Sequence, residues 1–289
     1  MRSIAILGAP SNLGLMPHPD GRLRGVDRAP RVYRELGLVE RLGARDLGDI
    51  EAPPYADFVR PPGGTRNESG IAAYSRSLAN AVSSTSDFLL VLGGDCSILL
   101  GTLLGLRPRG RIGLAFIDGH CDFAVPSISV SGGAAGMDLA LAVGRGGPLA
   151  RLAGEAPLVR EEDVAVIARK DLADEPLYGS HSMRGSAVLD LPYEGAAAET
   201  ALGRLTRPKL NGFWIHVDVD VLDPQVMPAV DSPEEGGLGI EDLAGLLMPL
   251  VRHPSALGME LTIYDPDLDP DGACASRIAG LLEQIFKGV

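Results

Sequence analysis

The ten residues Gly113-Leu114-Ala115-Phe116-Ile117-Asp118-Gly119-His120-Cys121-Asp122 decide the fold of this chain. Five apolar residues run without a break and then give way to polar ones. Near-continuous apolarity over so short a run is typical of a strand that is covered on both faces of a parallel sheet. The same pattern recurs along the chain and predicts further strands over 3–7, 88–92, 164–168, 212–217 and 258–263.

Longer amphipathic stretches separate these strands. Apolar residues at three- and four-residue spacing predict helices over 29–36, 70–83, 98–105, 240–250 and 275–286. Strands that alternate with helices indicate an α/β fold, in which a parallel sheet has helices on both faces. Neither a repeat nor a linker interrupts the sequence, so we expect one domain over residues 1–289.

Two segments do not fit this alternation. Residues 126–147 are rich in Ser, Gly and Ala, which predicts either a flexible insert or a loop pressed against a ligand. Residues 187–200 resemble a second excursion of the chain over the surface.

The charge and the cysteine content exclude several classes of protein. Twenty-six Lys and Arg against 38 Asp and Glu leave a net charge of -12, the wrong sign for a surface that neutralises nucleic-acid phosphates. The longest apolar runs stop far short of the roughly eighteen residues that cross a bilayer. Cys96, Cys121 and Cys274 are an odd number of cysteines in a chain without an export signal, which argues against a disulfide framework. We expect a cytoplasmic protein that binds neither nucleic acid nor membrane.

Unusual residues follow three of the predicted strands. Gly93-Gly94-Asp95-Cys96 comes after 88–92, Asp118 to Asp122 comes after 113–117, and Asp218-Val219-Asp220 comes after 212–217. In doubly wound sheets, ligands collect beyond the carboxyl ends of the strands. Carboxylates, an imidazole and a thiol are therefore expected to converge at one edge of the sheet.

The spacing of these residues favours a metal site. Alternate residues of an extended chain point the same way, so Asp118, His120 and Asp122 can aim at one point, and Asp218 with Asp220 can do the same. Carboxylates that lie so close together need a compensating cation. A pair of divalent ions bridged by carboxylates meets this need, and oxygen-rich ligation favours Mn²⁺ over Zn²⁺.

Each of these residues also has a purely structural interpretation. Asp218 and Asp220 could cap a helix or order a turn. His120 alone could be an interior histidine with satisfied hydrogen bonds, and Cys96 alone could be a small buried apolar side chain. The convergence of all of them after successive strands favours a functional site over these alternatives.

These motifs resemble those of the ureohydrolase family, which contains arginase, agmatinase and formiminoglutamase. The resemblance runs nearly end to end and also includes Ile6-Leu7-Gly8-Ala9-Pro10, Gly25-Val26 with Ala29-Pro30, Asp223-Pro224 and Gly236-Gly237-Leu238. It implies a three-layer α/β/α sandwich with a mostly parallel sheet. It also implies two Mn²⁺ ions that generate a bridging hydroxide, which attacks a guanidine-type carbon.

The resemblance assigns metal ligands residue by residue. Asp118, Asp122 and Asp218 match ligands shared by the two ions, His120 and Asp220 match ligands of one ion, and Asp122 is the candidate catalytic residue. Where the family has His, this chain has Cys96, whose thiolate is a softer, anionic ligand. The added negative charge should make the metal ion a weaker Lewis acid. The alternative is that Cys96 marks a lost metal and an inactive protein.

The positions that the resemblance places around the substrate also differ. Ala135 stands where arginases carry a proton-shuttle His, so general acid-base help of about 10² to 10⁴ in rate is missing there. Ile263 stands where the family has the Glu that holds the substrate guanidinium. Glu260 lies on the opposite face of a regular strand and replaces that Glu only if a β-bulge intervenes. Ser131 keeps the position of a serine that contacts the substrate α-carboxylate in arginase.

These departures favour a substrate that is less basic than arginine. A guanidinium stays protonated at neutral pH and its leaving amine needs a proton, whereas an N-hydroxyguanidine is a weaker base. Cys96 together with the missing His resembles the Nω-hydroxy-L-arginine amidohydrolases of D-cycloserine antibiotic biosynthesis, which form hydroxyurea and L-ornithine. The resemblance therefore implies that this guanidino compound is the substrate.

Two alternatives for the function stay open. One is a ureohydrolase that acts on another guanidino or formimino compound, and the other is a non-catalytic, metal-binding relative. Because the chain ends just after 275–286, without the tail of some trimeric arginases, we expect a monomer.

Overall fold

A parallel sheet forms the middle layer of the molecule. The computed structural model describes residues 2–173 and 182–288. The strands in those residues are β1 (Ile4–Ala9), β2 (Arg45–Asp49), β3 (Phe88–Gly93), β4 (Gly113–Ile117), β5 (Val164–Ile167), β6 (Leu189–Leu191), β7 (Phe213–Asp218) and β8 (Ala256–Thr262). They pair in the order β2-β1-β3-β8-β7-β4-β5-β6, and each of these pairings is parallel.

Helices cover both faces of this sheet. Over the same two ranges they are α1 (Ala29–Glu35), α2 (Leu38–Leu42), α3 (Glu68–Ser83), α4 (Ile98–Leu106), α5 (Asp138–Ala142), α6 (Ala197–Leu205), α7 (Ile240–Arg252) and α8 (Ala273–Phe286). Residues of α3, α4 and α5 form one apolar core with the sheet, and residues of the other helices form a second core on its opposite face. The fold is therefore the expected three-layer α/β/α sandwich. Among the described residues, no helix is both long and apolar enough to cross a membrane.

The buried strands explain why the apolar runs predicted this fold. In β4, Leu114 and Phe116 belong to one core, while Ala115 and Ile117 belong to the other. A strand between two helical layers needs apolar side chains at every position. All six predicted strands and all five predicted helices are confirmed, each within two residues of its predicted bounds.

The segment 187–200 lies largely at the surface, as predicted, and it contains regular elements that were not predicted. This segment contains β6 and the beginning of α6. The strand β2 lies at one edge of the sheet and β6 lies at the other. Neither of these two strands was predicted. Edge strands carry polar, exposed residues because only one of their sides is paired, so they lack the continuous apolar pattern.

The segment 126–147 packs against the carboxyl edge of the sheet. It contains a short 3₁₀ turn, Ala135–Met137, and then α5. Ala135 and Asp138 are both buried. This part of the segment is a wall of the site described next.

Candidate metal centre

The predicted ligands follow three of the four central strands, β3, β7 and β4, at one edge of the sheet. Cys96 follows β3, Asp118 follows β4, and Asp218 ends β7. Ile117 of β4 pairs with Val217 of β7, so the register brings Asp118 and Asp218 level with each other. Parallel pairing alone therefore sets these two carboxylates side by side.

The same carboxylates fold the turns that follow the strands. The backbone N–H of Asp220 donates to Asp218 Oδ1 at 2.7 Å, and the backbone N–H of His120 donates to Asp118 Oδ1 at 2.7 Å. The backbone N–H of Gly119 donates to Asp220 Oδ1 at 3.0 Å. Asp218 thus orders a turn, as one structural interpretation proposed, but this turn uses only one of its two oxygens.

Asp118, His120 and Asp220 form a first cluster of potential metal ligands. His120 Nδ1 lies 2.9 Å from Asp220 Oδ2 and 3.7 Å from Asp118 Oδ1. Burial lowers the pKa of His120, but the two carboxylates outweigh burial and raise it well above its usual value. Burial would raise the pKa of Asp220, and the hydrogen bond from His120 lowers it instead. Positive charge at Nδ1, from a proton or from a metal ion, therefore stabilises both carboxylates.

Cys96, Asp118 and His216 form a second cluster, which shares Asp118 with the first. Cys96 Sγ lies 2.9 Å from Asp218 Oδ2 and 3.1 Å from Thr262 Oγ1. Burial raises the pKa of the Cys96 thiol well above its usual value, and Asp218 and other nearby carboxylates add to the increase. The group is therefore a thiol that donates to Asp218, and a metal ion must displace its proton to bind.

Buried carboxylates without partners show that the site fits divalent cations. Asp118 Oδ2 and both side-chain oxygens of Asp138 are buried and accept no hydrogen bond from the described part of the chain. Burial and the neighbouring Asp220 raise the pKa of Asp118 to about 6. Burial and adjacent carboxylates also raise the pKa values of Asp122, Asp138 and Asp218 well above the usual range. Buried carboxylates this close together need protons or cations to neutralise their charge. The oxygen, nitrogen and sulfur atoms at the site are ligands that suit a first-row divalent metal ion.

A cavity of about 420 Å³ opens onto these clusters. Five of the six predicted ligands line it, namely Cys96, His120, Asp122, Asp218 and Asp220, whereas Asp118 is fully buried. Ser131, Ala135 and Ile263 also line the cavity, so the predicted substrate positions and the predicted ligands face one space.

Two residues of the cavity wall adopt a left-handed backbone conformation. Asp122 has φ 44° and Ile263 has φ 74°. This conformation is uncommon outside glycine, and it is most unfavourable for a β-branched residue such as Ile263. Strained backbone of this kind is maintained by the surrounding structure and concentrates at functional sites.

Glu260 does not reach the cavity. The ladder between β7 and β8 is regular from Trp214 to Asp218 and pairs Glu260 with His216. Glu260 is fully buried, and its Oε1 lies 2.8 Å from His216 Nδ1. The bulge that would let Glu260 replace the missing guanidinium-binding Glu does not occur there, so Ile263 has no such substitute on this strand.

Four residues of the site lie outside the sequence motifs, namely His216, Asp138, Arg24 and Asp231. His216 precedes Asp218 by two residues in β7, and this spacing alone places both on one face of the strand. Asp138 lies in the segment rich in Ser, Gly and Ala. Arg24 and Asp231 line the cavity from loops that are far apart in the sequence. Burial and Asp220 raise the pKa of Asp231 to about 6.

A parallel α/β/α sandwich with carboxylate, imidazole and thiol groups clustered beyond its central strands has the architecture of a metal-dependent enzyme. Comparison with known proteins then identifies the family. The sequence matches the Arginase family over residues 2–287, and the chain belongs to this family. It is 32% identical over 300 residues to the arginase of Bacillus subtilis, covering 99% of this chain and 98% of that protein.

Solved structures agree with this assignment. The arginase of Bacillus caldovelox superposes with a TM-score of 0.87 at 28% sequence identity, covering 100% of this chain and 99% of the other. Formimidoylglutamase of Bacillus subtilis shares the fold, with a TM-score of 0.74 at 20% identity over 100% of this chain and 87% of the other. The protein is an arginase-family ureohydrolase, a metal-dependent amidinohydrolase, and the family generally depends on two manganese ions.

Proposed function

We propose that this ureohydrolase converts Nω-hydroxy-L-arginine and water into hydroxyurea and L-ornithine. The observation that carries the proposal is the pair Ala135 and Ile263, which line the cavity at positions where the resemblance puts a His and a Glu. Both are almost completely buried, with 6% and 2% of their surface exposed. The cavity therefore has apolar side chains at the two positions that serve proton transfer and guanidinium binding in arginases.

The charge of the reacting group favours hydroxyarginine over arginine. A protonated guanidinium that is buried beside Ile263 loses hydration without gaining an anionic partner from this residue. An N-hydroxyguanidine is a weaker base, so a larger fraction of it enters the cavity uncharged. Its hydroxyl group can also move a proton, which reduces the need for a histidine at position 135.

We propose two Mn²⁺ ions as cofactors, with Cys96, Asp118, His120, Asp122, Asp218 and Asp220 as their ligands. When bound, such ions polarise the substrate and lower the pKa of water. Asp118 lies in both clusters, which supports its role as a shared ligand. Asp122 is the proposed catalytic residue, because it faces the cavity and its carboxylate can accept a proton from water there.

Three residues suit the amino-acid end of this substrate. Ser131 Oγ accepts the backbone N–H of Gly133 at 3.1 Å, and its hydroxyl hydrogen can donate to the substrate α-carboxylate. Arg24 offers a positive charge for the same carboxylate, and Asp231 offers a negative charge for the α-ammonium group. A zwitterionic amino acid therefore matches the charges of the cavity wall.

The test is a product assay on the Mn²⁺-loaded protein, with hydroxyurea, urea and ornithine measured side by side. We expect kcat/KM for hydroxyarginine to exceed that for arginine by about 10²-fold or more, the usual contribution of one acid-base group. The variant Asp122→Asn, assayed in parallel, should form neither product. Equal efficiency on the two substrates would refute the proposed substrate.

Two other outcomes correspond to the alternative functions. Turnover of agmatine or formiminoglutamate, without turnover of hydroxyarginine, would assign another ureohydrolase activity. Two bound Mn²⁺ without turnover of any of these compounds would indicate a non-catalytic metal-binding protein.

We further propose one catalytic domain, a cytoplasmic location and a monomeric state. The three cysteines are buried and free, which suits a reducing compartment. Light scattering coupled to gel filtration tests the monomer, for which we expect the 30.2 kDa of a single chain.

A further inference from the structure

A buried histidine outside the proposed ligand set faces the second cluster. His216 of β7 has none of its surface exposed, and its Nε2 has no hydrogen-bond partner among the residues that the structure describes. Nε2 lies 4.0 Å from Asp118 Oδ2 and 3.9 Å from Asp138 Oδ2, and within 2–173 and 182–288 neither of these oxygens has a hydrogen-bond partner. Three unsatisfied polar atoms therefore surround one buried point, which is costly unless a further group binds there.

The contacts on the other side of the ring fix its tautomer. His216 Nδ1 lies 2.8 Å from Glu260 Oε1, and Thr102 Oγ1 donates to Glu260 Oε2 at 2.7 Å. A carboxylate accepts, so Nδ1 carries a proton, and in the neutral ring Nε2 then presents a lone pair towards Asp118 and Asp138. Phe116 stacks on the imidazole with a centroid distance of 4.7 Å, which fixes the plane of the ring. A carboxylate that orients a histidine in this way is the usual arrangement behind a metal-ligating imidazole.

The distances suit one metal ion between these atoms. Nitrogen and oxygen ligands lie about 2.0–2.2 Å from a first-row divalent ion, so two ligands of one ion are no more than about 4.4 Å apart. The potential ligand atoms of Cys96, Asp118 and His216 all lie within 4.8 Å of one another, and sulfur adds to the allowed span.

The two oxygens of Asp118 face different clusters. Oδ1 lies on the side of His120, at 3.7 Å from its Nδ1, whereas Oδ2 lies on the side of His216. A carboxylate in this position can bridge two ions. The His216 cluster is therefore a natural second half of a binuclear centre.

We propose that His216 is a metal ligand, which binds the ion on the Cys96 side through Nε2 and supplies the imidazole that position 96 lacks. Asp138 contributes a carboxylate to the same ion. This inference rests on the metal-binding part of the proposed function and is independent of the identity of the substrate. On this ion, a neutral imidazole nitrogen would bind beside the Cys96 thiolate. The ion would also partner the carboxylate oxygens of Asp118 and Asp138 that accept no hydrogen bond from the described residues.

The competing explanation is that His216 is protonated and only forms ion pairs with Asp118 and Asp138. This arrangement would need no metal ion at Nε2. The two explanations therefore differ in where the ion lies and in how many ions the protein retains.

Anomalous diffraction from crystals of the Mn²⁺-loaded wild-type protein, measured at the manganese edge, locates the ions directly. We expect two peaks, one of them within about 2.0–2.5 Å of His216 Nε2. Two peaks that both lie more than about 3 Å from Nε2 would overturn the proposal, and this result does not depend on the folding of any variant.

Metal content of variants gives a second, independent measurement. His216→Gln, after dialysis against metal-free buffer, should retain one Mn²⁺ per chain where the wild type retains two. Phe116→Leu is the matched control, because it alters packing on the same imidazole but removes no ligand, and it should retain two ions. Circular dichroism and gel filtration show whether each variant is folded. Retention of two ions by folded His216→Gln would overturn the proposal.

The two proposals can fail separately. A protein that forms hydroxyurea but keeps both ions away from Nε2 overturns only the role of His216. A protein whose ion contacts Nε2 but which forms no hydroxyurea supports His216 as a ligand and refutes only the proposed substrate.

Discussion

At the scale of single residues, Cys96 distinguishes this proposed metal centre from one with a histidine ligand at the same position. Its thiol is buried beside Asp218 and has a raised pKa, so it binds a cation only as a thiolate. Metal binding must therefore release a proton at this position, which an imidazole ligand would not require.

Cobalt substitution tests whether Cys96 ligates the metal. The Co²⁺-loaded protein should show the near-ultraviolet absorption of a cobalt–thiolate bond, and Cys96→Ser should lose that band. Cys274→Ser is the matched control, because Cys274 lies on α8 and does not line the cavity, and its band should equal that of the wild type. A band that survives in Cys96→Ser would place the thiol outside the centre.

Arg24 is expected to bind the α-carboxylate of the substrate. A charge-assisted hydrogen bond is worth about 1.5–3 kcal/mol, so Arg24→Gln should raise KM for hydroxyarginine by about 10- to 100-fold and leave kcat nearly unchanged. Arg22→Gln is the control, since Arg22 is exposed and pairs with Asp20 outside the cavity. Unchanged KM in Arg24→Gln would exclude this contact.

The pair Ala135 and Ile263 is expected to control the choice between the two substrates. Restoring His at 135 and Glu at 263 should raise kcat/KM for arginine relative to hydroxyarginine, even if both absolute rates fall, because arginine needs the base and the anion more. Replacing Ile263 also removes a β-branched residue from φ 74°, so the backbone does not oppose the change. An unchanged ratio in the double variant would show that these positions do not select the substrate.

At the scale of elements, the ends of β1 and β3 must approach closely to place Cys96. The backbone N–H of Gly94 donates to Ala9 O at 3.1 Å, and that of Asp95 donates to Ser11 O at 2.9 Å. A Cβ atom at Gly94 would lie 1.9 Å from the Ser11 carbonyl oxygen, so only glycine fits between the two chains.

Gly94→Ala should therefore lower the free energy of unfolding by about 1–3 kcal/mol or more and also weaken Mn²⁺ retention, because the chain that leads to Cys96 is displaced. Gly245→Ala is the control, since Gly245 is exposed in α7 and a Cβ there meets no atom within 4 Å. This control should raise the free energy of unfolding by about 1 kcal/mol through helix propensity. Urea denaturation measures the free energy of unfolding of both variants, which should fall for Gly94→Ala and rise for Gly245→Ala. Equal values for the two variants would contradict the close approach of Gly94 to the Ser11 carbonyl.

The same elements show how much of the fold follows from the sequence. Strands buried on both faces must be apolar throughout, so β3, β4 and β7 are evident from composition and length. Edge strands are not, because β2, with the sequence Arg-Asp-Leu-Gly-Asp, pairs along one side and exposes most of its residues. Short, half-paired strands of this kind are fixed by tertiary contacts that a local pattern does not contain.

The site was predictable where chemistry coincides with regular spacing. Asp118, His120 and Asp122 alternate after a strand. The structure brings His120 and Asp122 to one cavity with Asp218 and Asp220, and Asp118 lies buried as a member of both ligand clusters. His216 lies within an apolar strand and outside the motif that follows it, so the motif does not reveal it, although it continues the same alternation as Asp218. Arg24, Asp138 and Asp231 come from irregular segments. Loop packing brings them together, and the spacing of residues along the sequence does not predict that packing.

At the scale of the whole molecule, the metal centre joins strands that are distant in sequence. The potential ligands lie beyond β3, β4 and β7, in the middle of the sheet and between its two helical layers. An ion that binds these groups in the folded chain finds no such arrangement in the unfolded chain. Metal binding therefore stabilises the entire sandwich.

Removal of the metal should lower the melting temperature of the protein. An ion at 1,000 times its Kd contributes about 4 kcal/mol, and a chain of this size gains roughly 2 °C per kcal/mol, so one tightly held ion is worth about 8 °C. Chelation by EDTA followed by dialysis should produce this loss, and added Mn²⁺ should reverse it. Asp218→Asn is the matched control, since it removes one charge from the centre and should melt at nearly the same temperature with and without chelator. Identical melting curves for wild-type protein before and after chelation would show that the buried carboxylates rely on protons instead of metal ions.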